Sequence, residues 1–176
     1  MEAVQTLQTE RLTLRQPGPS DEADYVAFML SDRARHVGGS SDRKRAWYAF
    51  ATELGHWAIR GFGMWAVTQH GDDRAIGFVG PWYPDTWPEH ELGWFLYAQA
   101  EGKGIAYEAV FAAREHAFKS LGWETAVSYI DEDNLRSRKL AERLGAVLDP
   151  SAAWPGQSAG AEPCLVYRHP APEALQ

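Results

Sequence analysis

The sequence predicts a mixed α/β domain, and three observations carry that prediction. In the front half, apolar residues recur with strand-like alternation at Leu12 and Leu14, and strand-like runs cover Met64 to Thr68 and Ala75 to Val79. In the back half, two strand-like runs, Glu91 to Tyr97 and Thr125 to Ile130, each lead into a helical pattern. No repeat or composition break divides the 176 residues, a length that suits one domain with a sizeable core, so residues 1–176 are read as a single domain.

Taken in order, Leu7 to Arg15 reads as a half-buried strand that Pro17-Gly18-Pro19 stops. Ser20-Asp21 can cap a helix running to about Leu30, with acids in its first turn. After the polar stretch Gly38-Gly39-Ser40-Ser41, a second helix carries Trp47, Phe50, Ala51 and Leu54 at helical spacing and ends at Arg60-Gly61-Phe62-Gly63. Gly71-Asp72-Asp73 reads as a hairpin turn between two strands, and Pro81 to Pro88 as a loop rich in Pro and Trp. The longest helix runs from about Lys103 to Ser120, with Ala106, Ala109, Val110, Ala113, Ala117 and Leu121 on one side. Leu135 to Leu144 is a shorter helix that Gly145 ends, residues 150–162 form a loop, and Leu165 to Arg168 is a closing strand.

Composition removes several functions. A formal charge of −7, from 17 Lys and Arg against 24 Asp and Glu, argues against direct nucleic-acid binding, which needs clustered cations. Cys164 stands alone, so no internal disulfide is possible and a reducing, cytoplasmic setting fits. The six histidines show no tight ligand pair, so no metal is expected. No segment has the length and apolarity of a secretory leader or a membrane span.

Chemistry concentrates at two strand-to-helix junctions. The first is Glu91-Leu-Gly-Trp-Phe-Leu-Tyr-Ala-Gln-Ala-Glu-Gly-Lys-Gly-Ile-Ala106, where Gly102 and Gly104 occupy a turn between a strand and a long helix. A diphosphate needs such a place: glycines allow close backbone approach, several N–H groups converge, and the helix N-terminus adds partial positive charge. Lys103 could add a full charge or simply face solvent. A dinucleotide fingerprint would want glycine where Tyr107 stands, and a triphosphate loop would want Ser or Thr where Gly104 follows the lysine. Neither motif is present. The second junction leads into Asn134-Leu-Arg-Ser137, with Leu144-Gly145 at the far end of its helix. Asn134 can be a plain N-cap with Ser137 its first-turn neighbour. Two strands that release helices at the same edge also make the crevice in which ligands of open sheets settle.

Taken together, Gln99-x-x-Gly102-x-Gly104, Asn134-x-x-Ser137 and Leu144-Gly145 resemble the GNAT superfamily of N-acetyltransferases. The opening Thr9-Glu10-Arg11-Leu12-Thr13-Leu14-Arg15 and the strand Glu91-Leu-Gly-Trp resemble the subgroup that includes bacterial ribosomal-protein N-terminal acetyltransferases. The resemblance covers residue 8 to about 149 and implies a three-layer fold. Its central mixed sheet would have six to seven strands, the fourth and fifth splayed apart, with helices on both faces. It also implies acetyl-CoA as co-substrate. Backbone of Phe95, Leu96 and Tyr97 would hold the acetyl and pantetheine end. The turn from Gly102 through Lys103, Gly104, Ile105 and Ala106 would hold the pyrophosphate, Asn134 would bond the pantetheine arm, and Ser137 would sit near the sulfur.

One departure bears on mechanism. Many relatives place a tyrosine seven residues after the asparagine as proton donor to the thiolate, and this chain has Ala141 there. Ser137 or water is then the remaining donor. An amine attacks only when unprotonated, and an alkyl amine of pKa ~10.4 is mostly protonated at neutral pH, so a base is useful. Glu91, at the start of the strand that the resemblance sets beside the acetyl group, is the first choice, and His90 is the alternate. Trp82 and Trp87, in the Pro-rich loop, could wall an acceptor pocket with Tyr83 and Asp85. The expected activity is acetyl transfer to a primary amine, either a small molecule or a protein N-terminus. The alternatives are a catalytically silent acetyl-CoA-binding module and a different phosphate-binding α/β enzyme. The organisation allows a homodimer.

Overall fold

In the computed structural model, which describes residues 6–175, the centre is one twisted sheet of eight strands. They are β1 (Leu7–Gln8), β2 (Leu12–Arg15), β3 (Trp65–Gln69), β4 (Gly77–Trp82), β5 (Glu91–Leu96), β6 (Ala126–Ile130), β7 (Val147–Leu148) and β8 (Leu165–His169). Their order across the sheet is β1-β2-β3-β4-β5-β6-β8-β7. Every neighbouring pair is antiparallel except β5 and β6, which run parallel. The helices are α1 (Glu22–Met29), α2 (Arg43–Arg60), α3 (Ile105–Lys119) and α4 (Leu135–Arg143).

Two apolar layers hold the sheet between helices. On one face Tyr25, Val26 and Phe28 of α1 and Ala46 and Phe50 of α2 pack on Ala66 and Phe78. On the other, Ala109, Val110 and Ala113 of α3 pack on Leu12, Leu14, Trp65, Val67 and Val79. The alternation of each strand distributes its side chains between these layers. Arg114 of α3, only 1% exposed, reaches the Leu144 carbonyl at the end of α4 and ties the two helices together.

The fold agrees with the three-layer expectation, and the strand count is higher for two local reasons. Leu7 to Arg15 is a hairpin rather than one strand: Thr9 N–H donates to Leu12 O at 2.9 Å, and the Thr9 hydroxyl accepts from Leu12 N–H at 3.0 Å. The chain therefore reverses between Gln8 and Leu12, and Leu7 pairs with Leu14. Val147–Leu148, at the outer edge of the sheet, is too short to leave a sequence pattern. β4 also runs past Val79, its last pair with β3, to include Pro81. A proline is tolerated there because no strand lies on its other side to want its N–H.

Candidate functional site at the β5–β6 fork

β5 and β6 share a single register pair, Glu91 with Val127, and then part. Three hydrogen bonds pin the apex. Val127 N–H donates to His90 O at 3.0 Å, the Ser128 hydroxyl donates to Leu92 O at 2.6 Å, and the Ser128 oxygen lies 2.8 Å from His169 Nε2. With the serine proton on Leu92 O, the imidazole is the donor in the last contact. His169 is buried and its pKa falls to about 3, chiefly through burial and next through the Arg114 charge, so it stays neutral. The fork opens beyond this point. Trp94 bridges it, packing against the α3 core and against the cluster of Ile130, Ala141, Ala146 and Tyr167 on the far side.

The register decides which backbone groups face the opening. Tyr97 N–H donates to Ile76 O at 2.9 Å, and Tyr97 O accepts from Ala100 N–H at 3.0 Å. Alternation then turns the polar edges of Gly93 and Phe95 toward β4 and those of Leu92, Trp94 and Leu96 toward β6. Of the three residues expected to present backbone to a pantetheine arm, only Leu96 does so. Phe95 and Tyr97 are committed to β4, and Trp94 takes the place that strand periodicity denies them. The Phe95 side chain lies in the opposite layer, stacked on Phe28 at 4.7 Å between ring centres.

At the open end, Gly102 and Gly104 have φ of +74° and +75°, the left-handed region that favours glycine, and Gly104 is the N-cap of α3. A Cβ at Gly102 would meet nothing within 4 Å, so the turn is open on that side. Ile105 is buried in the α3 core and Ala106 is half-buried, so these two contribute through the free N–H groups of the first helical turn. Lys103 folds back, its Nζ donating to Gln99 O at 2.7 Å. Arg11 braces the turn: it donates to Lys103 O at 3.0 Å and pairs with Glu108 at 2.6 Å. Glu101, in the same turn, holds Arg33 at 2.5 Å and also Arg136 of α4, so one carboxylate straddles the mouth of the fork.

Across the opening, Asn134 caps α4 by accepting from Ser137 N–H at 3.2 Å. The Ser137 hydroxyl oxygen accepts from Trp94 Nε1 at 3.2 Å, which leaves the hydroxyl proton to be donated elsewhere. Ala141, on the inner face of this same helix, is fully buried.

The other face of β5 carries carboxylates. Glu91 Oε2 accepts from Trp87 Nε1 at 2.6 Å, and burial, against the pull of the Trp87 and Tyr129 hydrogen bonds, raises its pKa to about 7. Gly93 leaves a gap next to it on the same face, where a Cβ would lie 3.4 Å from Met64 Sδ and 3.9 Å from Glu91 Oε1. Glu53 of α2 points into the same layer and is 4% exposed. Its Oε1 accepts from the Tyr25 hydroxyl at 3.0 Å, and its Oε2 is buried with no hydrogen-bond partner among the described residues. Burial raises its pKa to about 8; the Tyr25 bond opposes this and the Glu91 charge adds to it.

The parallel fork is thus pinned at one end, with a glycine turn and a capped helix on its two sides and a titratable carboxylate at its apex. A family model of the acetyltransferase (GNAT) domain matches residues 11–147, most of the chain. The chain belongs to the GNAT acetyltransferase family. A solved acetyltransferase from Agrobacterium tumefaciens is 38% identical with a TM-score of 0.87, over 97% of this chain and 96% of that one. A GNAT-family acetyltransferase from Bacillus anthracis shares the fold at 18% identity and a TM-score of 0.71, over 94% of this chain and 96% of that one. RimL, a ribosomal L7/L12 alpha-N-protein acetyltransferase solved in complex with coenzyme A, shares it at 14% identity and 0.70, over 94% and 96%.

Within this GNAT enzyme some sequence candidates lie elsewhere. His90 stacks on Trp123 at 4.3 Å and meets the Tyr83 ring edge at 4.4 Å, in an aromatic cluster one residue out of phase with Glu91. Burial lowers its pKa, and it does not face the carboxylates. Trp82 is the last residue of β4 rather than part of the loop; it pairs across the strands with Glu91 and stacks on His56 at 4.4 Å, while Trp87 of the loop donates to the Glu91 carboxylate. His36, Asp131 and Asp133 come within 4.8 Å of one another, a grouping that sequence spacing hides because it joins the α1–α2 connection to the β6–α4 loop. Arg35 Nε donates to His36 Nε2 at 2.9 Å and His36 Nδ1 lies 2.8 Å from Asp131, so both ring nitrogens have protein partners. Among the described residues no helix is long and apolar enough to cross a membrane.

Sequence reasoning passes over Glu53, and it uses Trp94 and Arg11 only in the resemblance, with no role at the site. Glu53 had a readable signal: with Ala46, Phe50 and Trp57 it completes the buried stripe of α2, and a charge at such a position is unusual.

Proposed function

We propose that this acetyltransferase moves the acetyl group of acetyl-CoA directly to a primary amine, with both substrates bound together. The observation that carries the proposal is the Glu91 carboxylate at the apex of the fork, with a pKa near neutrality. Members of the GNAT family use acetyl-CoA, which supplies the activated acetyl thioester. The residues here fit that group: the Trp94 and Leu96 backbone edges face the opening, the Asn134 amide nitrogen is not used in capping, and the glycine turn converges N–H groups at the start of α3. These would hold the pantetheine arm and the pyrophosphate, with Gly102, Lys103, Gly104, Ile105 and Ala106 forming the phosphate cradle.

In the transfer, Glu91 accepts a proton from the incoming ammonium, directly or through one water. The amine nitrogen then bonds the acetyl carbon and the carbon–sulfur bond breaks. The sulfur leaves with the bond's electron pair and takes a proton from the Ser137 hydroxyl or from water. The nitrogen gives its surplus proton back to that same group, and Glu91 passes its own proton to solvent, so that an amide and a free thiol remain. Trp94 supports Ser137 by occupying a lone pair of its oxygen, so the hydroxyl hydrogen is the group left to face sulfur. A peptide amino terminus and a small-molecule amine both satisfy this chemistry, and a −7 chain working as a single cytoplasmic domain suits either.

The test is thiol release from acetyl-CoA against a panel of amines, alongside thermal shift with acetyl-CoA, NADH and ATP. Acetyl-CoA should raise the melting temperature with concentration and the nucleotides much less. An equal shift with NADH or ATP would remove the assignment. Binding without thiol release from any amine would leave only a silent acetyl-CoA-binding module.

A further inference from the structure

Glu53 poses a physical problem that the transfer chemistry leaves unsolved. A carboxylate in the apolar stripe of a helix is costly unless it is paired, and this one has a single neutral donor, the Tyr25 hydroxyl. Its second oxygen is buried and unpartnered. Among the described residues neither Glu53 nor Glu91 forms an ion pair with Lys, Arg or His. Both lie in the layer between β5 and the α1–α2 pair: Phe50, one turn before Glu53, and Met64 share its apolar cluster, and Met64 lies over the Gly93 gap beside Glu91. Besides Phe50, Phe95 and Met64, the layer holds Tyr97, whose hydroxyl is buried without a partner among the described residues, and α2 adds the buried His56, which burial pushes toward its neutral form. Two buried acids in one layer, coupled to each other and without a counter-ion among the described residues, describe half of a binding site. The missing half is a cation.

We propose that Glu53 is the specificity-determining residue of the acceptor site, selecting with Glu91 a primary ammonium whose neighbouring carbon bears no carboxylate. The proposal rests on the acetyl-transfer reading and deepens it. An ammonium entering this layer neutralises both acids at once, whereas the carboxylate of a free amino acid would be set against two like charges in a low-dielectric space. Aliphatic diamines and peptide amino termini share the accepted chemistry; free α-amino acids lack it. Because burial and mutual repulsion keep the pair partly protonated, a bound ammonium draws a proton off it. Acceptor binding therefore releases a proton, and affinity rises with pH from 6 to 8.

The experiment is calorimetric titration of the protein saturated with CoA, which carries no acetyl group and so permits no turnover, in two buffers of different ionisation enthalpy. The probes are alanine amide, alanine, 1,4-diaminobutane and an alanine-terminated tripeptide amide. Alanine amide should bind at least about 10-fold more tightly than alanine, the worth of one charge-assisted contact, with net proton release. Glu53→Gln should weaken the amide by about 10- to 100-fold and reduce the proton release, with CoA affinity unchanged. If Glu53→Gln does not fold, Tyr25→Phe, which frees Oε1 of its only donor, should shift proton release in the same titration. Tight diamine binding with weak tripeptide binding names a small-molecule acceptor, and the reverse names a peptide terminus. The proposal is overturned if alanine binds as well as its amide, if none of the amines binds, or if the Glu53→Gln protein keeps wild-type amine affinity and proton release. Failure of CoA itself to bind would instead remove the acetyl-transfer reading.

Discussion

The two faces of β5 solve opposite problems. Toward α3 and α4 the strand presents Leu92, Trp94 and Leu96, and the site there is built from backbone: polar edges in the fork, a glycine turn, a capped helix start. Toward α1 and α2 it presents Glu91, Gly93 and Phe95, and the site there is built from side chains: two carboxylates, a tyrosine hydroxyl and an indole N–H. Backbone geometry can hold a ligand part that is the same in every relative. Buried titratable side chains suit a partner that differs between them. On the acetyl-transfer reading proposed above, the cofactor side is generic and the acceptor side is particular.

The largest expected effect separates the faces most sharply. Glu91→Gln keeps size and one hydrogen bond but removes the proposed base, so turnover should fall by roughly 10²- to 10⁴-fold while acetyl-CoA affinity stays level. With the wild-type carboxyl at about 7, the rate should climb as pH rises toward 7 and level off above it, because the base works only when deprotonated. In the variant that limb should vanish and the loss should shrink as pH approaches the amine's own pKa. Full activity of Glu91→Gln at neutral pH would move the base elsewhere on this face.

Gly104→Val tests the opposite face. Gly104 sits at φ +75°, so a β-branched residue would strain the turn, and its Cβ would lie 3.5 Å from Arg11 Nη2, which braces it. Calorimetry should show acetyl-CoA affinity reduced by about 10-fold or more, in keeping with one strained residue of about 1–3 kcal/mol. Unchanged affinity in a folded variant would mean that the turn is not the phosphate cradle.

The same contrast explains what could be read in the sequence. The glycine turn and the Asn134 helix are local patterns: Gly102 lies in the turn, Gly104 caps α3 and Asn134 caps α4, with Ser137 in its first turn. Phe95 and Tyr97 failed because the side of a strand that faces a gap depends on its neighbour's register, which is a tertiary fact. The Leu7 to Arg15 hairpin failed because Thr9 makes its turn with a hydroxyl rather than with glycine or proline. Glu53 was in view but unread: a single acid in an apolar stripe acquires meaning only when Tyr25 and Glu91, distant in sequence, converge on it.

A smaller effect probes the indole contact that crosses the fork. Trp94→Phe keeps a ring between the two clusters and deletes only the N–H that reaches Ser137. Ser137→Ala deletes the hydroxyl itself. If the hydroxyl protonates sulfur and Trp94 orients it, both should lower turnover severalfold, in line with a net hydrogen bond of about 1 kcal/mol, and the double variant should be no worse than Ser137→Ala alone. Losses that multiply in the double variant would show that Trp94 acts through packing.

The smallest effect returns to the acids, through stability. Glu53 and Glu91 have pKa values raised to about 8 and about 7, both above the ordinary value of 4.5. A raised value in the folded state means that the fold holds these protons more tightly than the unfolded chain does. Their contribution to stability is therefore complete below about pH 4.5 and is lost as pH rises through 7 and then 8. The remaining carboxylates that shift, such as Asp24 and Glu108, are lowered and finish titrating well below this window. His56, His90, His116 and His169 are lowered from 6.5 and oppose this trend up to about that pH. The decline in the free protein's melting temperature should therefore show above about pH 7, and Glu53→Gln, which cannot ionise, should flatten it. For a chain of this size each kcal/mol removed is worth about 2–4 °C. A saturating primary amine together with CoA should flatten the decline in the wild type as well, because the bound ammonium makes the ionised pair the favoured form. If the amine leaves the pH dependence of melting unchanged while raising the melting temperature itself, the cation binds away from Glu53, and the two carboxylates are neighbours without a shared ligand.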